Sequence, residues 1–284
     1  MEIYPAALQM HAFTSETFSA RRTPDAMHFR MARCASCGLL RSDPIADAKD
    51  LAALYQKSSF DYQSEVQSIQ QTYGRYLRKL ESYGISRHAL LEVGCGNGFF
   101  LEEALKQGFR DVRGVEPSSH ARAQAPAHLR DRIVEDVFRP GVFSEASFDV
   151  VCFFQVLDHL SDPAQSLREA FRVLRPGGCV LCLNHNVESF SAHVLKEKSP
   201  IVDIEHTFLY SPKTLSKLLH ACGFTNLQSG TVFNLYSLSY IVRLFPFPSF
   251  LKQGLLRLLT GISLGSTRLL MPLGNLFAIG QKKS

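Results

Sequence analysis

The feature that most limits this chain is Leu91-Glu92-Val93-Gly94-Cys95-Gly96-Asn97-Gly98-Phe99-Phe100, an apolar strand running straight into alternating glycines. A segment of this kind predicts a tight turn from strand to helix, in which glycine supplies otherwise forbidden dihedrals and lets a ligand approach the backbone. Phe99 stands where a dinucleotide-binding loop carries its third Gly or Ala, the residue that allows close packing beside a pyrophosphate. The pattern E-x-G-x-G-x-G therefore predicts an adenosine-bearing ligand without a pyrophosphate. Glu92, at the strand end, is placed to hold a cationic amino group directly or through water.

Four further segments follow in order. Val112-Arg113-Gly114-Val115-Glu116-Pro117 reads as a second strand ending in an acid, where the Glu116 carboxylate can accept from both hydroxyls of a ribose. Glu135-Asp136-Val137 comes next, then Ser147-Phe148-Asp149-Val150-Val151 leading to Gln155 and Asp158-His159, then Val173-Leu174-Arg175-Pro176-Gly177-Gly178 before the apolar run Cys179–Leu183. In this order the segments resemble the class I S-adenosylmethionine-dependent methyltransferases, with Asp158 standing where that family usually has Glu. The resemblance implies S-adenosylmethionine as cofactor. It implies a cofactor site made of Glu92, Gly94, Cys95, Gly96, Gly98, Glu116, Pro117, Asp136, Val137 and Gln155, with Asp136 accepting from the adenine amine.

Patterning gives strands at 89–93, 111–116, near 133, 148–154, 225–232 and 275–281. Helices are expected at 99–107, 118–130, 163–174 and Pro212 to Ala221, after a polar helix-prone lead-in at 62–84. Strand and helix alternating in this way predict an α/β fold with a doubly wound, mostly parallel Rossmann-like sheet. Seven strands with an antiparallel last one are what the resemblance adds. The 284 residues with 45% hydrophobic content suffice for a large core. No uninterrupted apolar run of membrane-spanning length occurs, the N-terminus lacks a secretory pattern, and seven scattered cysteines suit reduced thiols, so a cytoplasmic protein is expected.

Two segments lie outside this framework. Residues 1–44 hold Cys34-Ala35-Ser36-Cys37, which resembles half of a zinc ribbon found before some methyltransferase domains. With His11 and His28 as the nearby candidates to complete a four-ligand set, a metal-free hairpin is expected. Cys179 and Cys182 are also C-x-x-C, but residues three apart on a strand face opposite ways, so both read as core thiols. Within the catalytic domain expected at 45–284, residues 233–272 form an insertion. From His206 onward the chain carries eight Lys or Arg and no acid, while the preceding residues carry 23 basic against 26 acidic. Leu251, Leu255, Leu258, Leu259 and Ile262 fall on one helical face and Gln253, Arg257 and Thr260 on the other, beside Phe245-Pro246-Phe247-Pro248. Such a helix can pack on its own sheet, cover a greasy substrate, or lie on the anionic inner face of a membrane. No aromatic-interleaved basic stripe points to nucleic acid.

Methyl transfer is an in-line displacement in which the protein aligns the acceptor and excludes water. A hydroxyl or amine acceptor must also lose a proton. His159 and His206 are the candidate bases, His185 a third, and Tyr55, Phe60 and Tyr62 are placed for a lid. Phe153 and Phe154 suit either the core or the sulfonium. The expected activity is methylation of a small-molecule acceptor, a hydroxyl of a sugar, lipid-linked compound or secondary metabolite. C- or N-methylation and a non-catalytic cofactor-binding module are the alternatives.

Overall fold

The structure is a computed structural model that describes residues 1–7, 27–45, 66–244 and 247–284. His11, Tyr55, Phe60, Tyr62, Phe245 and Pro246 lie outside the described residues, as does the start of the expected lead-in helix.

Three short strands come first: β1 (Glu2–Tyr4), β2 (Met31–Arg33) and β3 (Leu40–Ser42). The alternating part runs α1 (Val66–Arg78), β4 (Ala89–Val93), α2 (Phe99–Lys106), β5 (Asp111–Val115), α3 (Ser119–Ala123), α4 (Ala127–Arg130), β6 (Ile133–Val134), β7 (Phe148–Phe154), α5 (Pro163–Val173) and β8 (Leu174–His185). It closes with α6 (Phe190–Leu195), β9 (Phe208–Leu209), α7 (Pro212–Ala221), β10 (Thr225–Thr231), β11 (Asn234–Ser237), α8 (Leu238–Leu244), α9 (Ser249–Gly261), β12 (Arg268–Met271) and β13 (Asn275–Gln281).

The seven-stranded sheet has the order β10-β13-β8-β7-β4-β5-β6. Every pairing from β8 to β6 is parallel, and β13 runs antiparallel to both of its neighbours. Because side chains alternate along a strand, the sheet buries two layers. Leu90, Val150, Cys152 and Leu181 pack on one face with Tyr76, Leu77, Phe100 and Leu101 of α1 and α2. Leu91, Val151, Phe153 and Val180 pack on the other with Leu167, Ala170, Leu215 and Leu219 of α5 and α7. Cys179 and Cys182 fall in opposite layers, and burial pushes the Cys179 thiol up to about 12. Phe153 and Phe154 are both core residues, Phe154 edge-on to Phe100 with centroids 4.6 Å apart.

Local chemistry accounts for the element ends. Asp162 caps α5 by accepting from Gln165 N at 2.9 Å, and Pro163 occupies the first turn, where its missing N–H costs nothing. Ser211 and Thr214 form a capping box on α7. The single helix expected over 118–130 is two, because Pro126 has no N–H to donate and disfavours helical dihedrals in the residue before it. At the edge of the sheet where β4 and β7 begin, Asp149 accepts from His88 N at 3.1 Å and Ala89 N at 2.7 Å, and both its oxygens are 3.1 Å from Arg175 Nη1.

The N-terminal strands are antiparallel neighbours in a second sheet, order β1-β2-β3-β9, with Leu40 paired to Leu209 and Arg41 to Phe208. Met31, Leu40, Ile201, Val202 and Leu209 form its own small core. Cys34 and Cys37 sit in the turn joining β2 to β3, where the Ser36 hydroxyl and the amides of Cys37 and Ser36 lower the Cys34 thiol to about 6. His28 is buried, with Nδ1 2.8 Å from its neighbour's carbonyl and Nε2 3.4 Å from Glu197.

The insertion is a two-stranded ribbon, β11 with β12, and the helix pair α8 and α9. The expected apolar face of α9 is split. Leu255 and Leu259 turn partly inward, joined by Leu256, while Leu251, Leu258 and Ile262 are exposed.

Candidate active site

β4 delivers Glu92 and Val93 to the edge of the sheet, and Gly94, Gly96 and Gly98 then turn the chain with φ of 69°, 54° and 77°. A Cβ on Gly94 would lie 2.6 Å from Val156 Cγ2, so this glycine is required both by dihedral and by space. Gly94 N donates to Val115 O at 2.8 Å, tying the loop to the end of β5. There Glu116 Oε2 accepts from Gly96 N and Oε1 from Ser118 N, each at 2.9 Å. Those two bonds orient the buried carboxylate and leave a further lone pair on each oxygen, as a pair of ribose hydroxyls requires. Burial raises the Glu116 pKa, partly offset by the amides of Ser118 and Gly96.

Glu92 is buried in a less comfortable place. Desolvation, and then the charge of Glu116, push its carboxyl well above the ordinary value. Its Oε2 makes no hydrogen bond, and neither do the buried Asn97 Oδ1 and Gln155 Oε1 on the same loop cluster. β7 pairs with β4 so that Val93 lies beside Phe153, which brings Gln155 alongside the glycine turn. Gln155 itself has φ 57° and donates its N–H to Leu183 O at 2.8 Å. Three orphaned buried acceptors are costly in a protein interior, and they suit a ligand with a cationic amino group. S-adenosylmethionine fits the residues present.

A cavity of about 400 Å³ lies between Pro117, Ser119, Glu135 and Asp136, in the range of small-ligand sites. Asp136 Oδ1 accepts from Val137 N at 2.8 Å, and its carboxylate also holds Arg139, with Nη2 2.7 Å from Oδ2. Cys95 is fully buried under the loop, and burial raises its thiol pKa strongly, with Glu92 and Glu116 adding to it. It shapes the turn by packing and offers no thiolate.

The three candidate histidines meet at the same edge. Asp158 sits among them, fully buried, and directs both side chain and backbone. Its Oδ2 lies 2.6 Å from His185 Nδ1, its Oδ1 accepts from Asn184 Nδ2 at 3.0 Å, and its carbonyl accepts from Thr207 N at 2.7 Å and Phe208 N at 3.1 Å. His206 stands between the other two rings, with centroids 4.4 Å from His185 and 4.9 Å from His159. His206 Nδ1 lies 3.0 Å from Ile201 O, and the His159 ring is held by the backbone of Glu205. Burial opposes charge on Asp158, but His159, the bond from His185 and the nearby His206 hold its carboxyl well below the usual carboxylate range. Desolvation first, and the neighbouring imidazoles second, push His206 far below 6.5, and desolvation lowers His159. The donor atoms of Asp158, His159 and His206 lie within 4.8 Å of one another, the one such group among the described residues.

The sequence favours His159 and His206 over His185, whereas the carboxylate meets His185. The signal in the sequence is Asp158 beside His159, an acid whose partner turns out to be His185. His206 is buried, while the side chains of His159 and His185 are 18% and 23% exposed.

A methyltransferase-domain family model matches residues 62–229. The chain is 36% identical over 140 residues to a protein of Mycolicibacterium smegmatis named "probable S-adenosylmethionine-dependent methyltransferase", covering 48% of this chain and 51% of that one. It is 31% identical over 120 residues to a ubiquinone biosynthesis O-methyltransferase from Alkalilimnicola ehrlichii, covering 39% of this chain and 48% of that one. The chain thus spans about half the length of these curated relatives. The fold matches a crystal structure of a SAM-dependent methyltransferase from Archaeoglobus fulgidus with a TM-score of 0.52 at 16% identity, over 75% of this chain and 94% of that one.

Proposed function

The chain belongs to the methyltransferase-domain family, and from that premise we propose that it transfers a methyl group from S-adenosylmethionine to a hydroxyl of a small-molecule acceptor. The observation that carries this reading is the cradle at the end of β4. Glu116 is oriented there by two backbone amides, beside three buried acceptors with no partner. When bound, the cofactor supplies an electrophilic methyl on a sulfonium. Glu92, Asn97 and Gln155 hold its amino acid end, Glu116 its ribose, and Pro117, Asp136 and Val137 border its adenine.

His185 takes the acceptor's proton. Its Nδ1–H is spent on Asp158, which leaves Nε2 as the accepting nitrogen and stabilises the imidazolium once formed. His159 and His206, kept neutral by burial, line the same wall and add no positive charge beside the sulfonium. The likeness to a relative named as an O-methyltransferase supports oxygen over carbon or nitrogen as the acceptor atom. An Asp-backed histidine in reach of solvent supports catalysis over mere cofactor binding.

Titration calorimetry with S-adenosylmethionine tests the first half. The expected result is one site per chain, lost in Glu116→Ala, which removes charge-assisted bonds of about 1.5 to 3 kcal/mol each. A panel of hydroxylated acceptors assayed for S-adenosylhomocysteine release tests the second, with release dependent on His185.

A further inference from the structure

The insertion leaves the sheet at one defined place. It follows the end of β10 and precedes β13, whose first residue, Asn275, pairs with His185. Gly274 O accepts from Asn186 N at 2.7 Å, so the insertion stands directly beside the histidine edge.

Its surface is unusual for a water-facing segment. No residue of α9 is buried, and the helix rests on α8. Phe250 is 79% exposed and Leu258 59%, and Leu251, Ile262, Leu269 and Leu270 are exposed with them. Large aliphatic and aromatic side chains gathered on one projection mark an interaction surface. Arg257 and Arg268 are exposed among these residues, and Arg243 lies on the adjoining α8. The whole stretch from His206 to the C-terminus holds no Asp or Glu. A protein partner with a neutral apolar groove would leave these cations unanswered. An anionic lipid surface answers both features, since acyl chains receive the apolar side chains and headgroups the arginines.

We propose that the ribbon and helix of residues 234–271 dock on the surface of an anionic bilayer, presenting Phe250, Leu258 and Leu270 to the lipid. Docked this way, the insertion holds the histidine edge near the membrane. The consequence for substrate, an acceptor partitioned into lipid, rests on the function proposed above, but the docking does not.

The test is sedimentation of the full chain with vesicles of phosphatidylcholine alone or mixed with phosphatidylglycerol, without acceptor or cofactor. The expected result is pelleting with the anionic vesicles only. It should fall as salt is raised from roughly 0.1 to roughly 1 M, which shortens the screening length from about 10 to about 3 Å. Phe250→Glu with Leu258→Glu should lower the partition coefficient by at least about tenfold, as should Arg257→Glu with Arg268→Glu. All four side chains are exposed, so an unchanged melting temperature and unchanged S-adenosylmethionine affinity verify the fold. Absence of pelleting with anionic vesicles at low salt overturns the proposal. So does pelleting that the Phe250 and Leu258 pair does not reduce, or a self-association that this pair abolishes while vesicles are ignored. Loss of methyl transfer with intact pelleting refutes the function and leaves the docking standing.

Discussion

Asp158 and His185 are joined by a 2.6 Å contact between Oδ2 and Nδ1, across the ends of the adjacent parallel strands β7 and β8. The pairing fixes which imidazole nitrogen carries the proton. His185→Ala should therefore lower kcat by about 10²- to 10⁴-fold, the range for a general base, while S-adenosylmethionine affinity stays within about twofold. Asp158→Asn should also lower kcat, while the Thr207 and Phe208 amides stay in place because they bond its main-chain carbonyl. Calorimetry beside a release assay separates the two effects, and an unchanged kcat in His185→Ala would exclude it as the base.

The two buried histidines contribute a loss of stability on mild acidification. His159 and His206 are held below their ordinary 6.5 by burial, so below about pH 6.5 the unfolded chain binds protons that the folded chain refuses. Their contribution is present above 6.5 and is lost as pH drops from 6.5 toward their folded values. Asp158, held low, adds a second loss only at much more acidic pH. The raised carboxyls of Glu92 and Glu116 act in the opposite direction over the same range, so the histidine part is read by difference: between pH 8 and pH 5, His206→Asn should lose less melting temperature than the unsubstituted chain.

Glu92 trades stability for ligand binding. Its folded pKa is raised above the ordinary 4.5, so the stability it contributes is full below that value and is lost as pH rises through its folded pKa. Glu92→Gln should therefore stabilise the ligand-free protein at pH 8 by about 1 to 3 kcal/mol, while weakening S-adenosylmethionine binding at least about tenfold. Denaturant unfolding and calorimetry on the same sample read both. A less stable Glu92→Gln would contradict the reading of a buried carboxylate with an unpartnered oxygen.

Asp149 gives the opposite pattern, because it braces the edge of the sheet remote from the glycine turn. Asp149→Ala strands two backbone amides and Arg175, and should cost about 3 to 5 kcal/mol of unfolding free energy. Cofactor affinity, measured well below the melting temperature, should be unchanged.

Much of the main sheet could be read from periodicity and punctuation. β4, β7 and β13 have the expected ends, because apolar runs bounded by glycine or polar residues leave little choice of register. The position of Glu116 just past a strand end was legible for the same reason. The sites that escaped depend on contacts distant in sequence. β9 is two residues long and is a strand only because β3 lies beside it. His185 meets Asp158 only because β7 and β8 are adjacent, and the outward turn of Leu251 and Leu258 depends on where α8 sits. Pro126 was visible, yet helix-forming alanines around it masked its effect.

The shared sheet of β1, β2, β3 and β9 also sets an order of events during synthesis. The hairpin carrying Cys34 and Cys37 leaves the ribosome early, but the strand that covers its edge is Phe208–Leu209, which emerges after β8 is complete. Until then Leu40 has no Leu209 beside it, and the hairpin presents an open strand edge of the kind that invites mispairing. Contacts of such long sequence separation form late. The loop that carries His206 is therefore clamped into place at the close of folding, by a part of the chain made long before it.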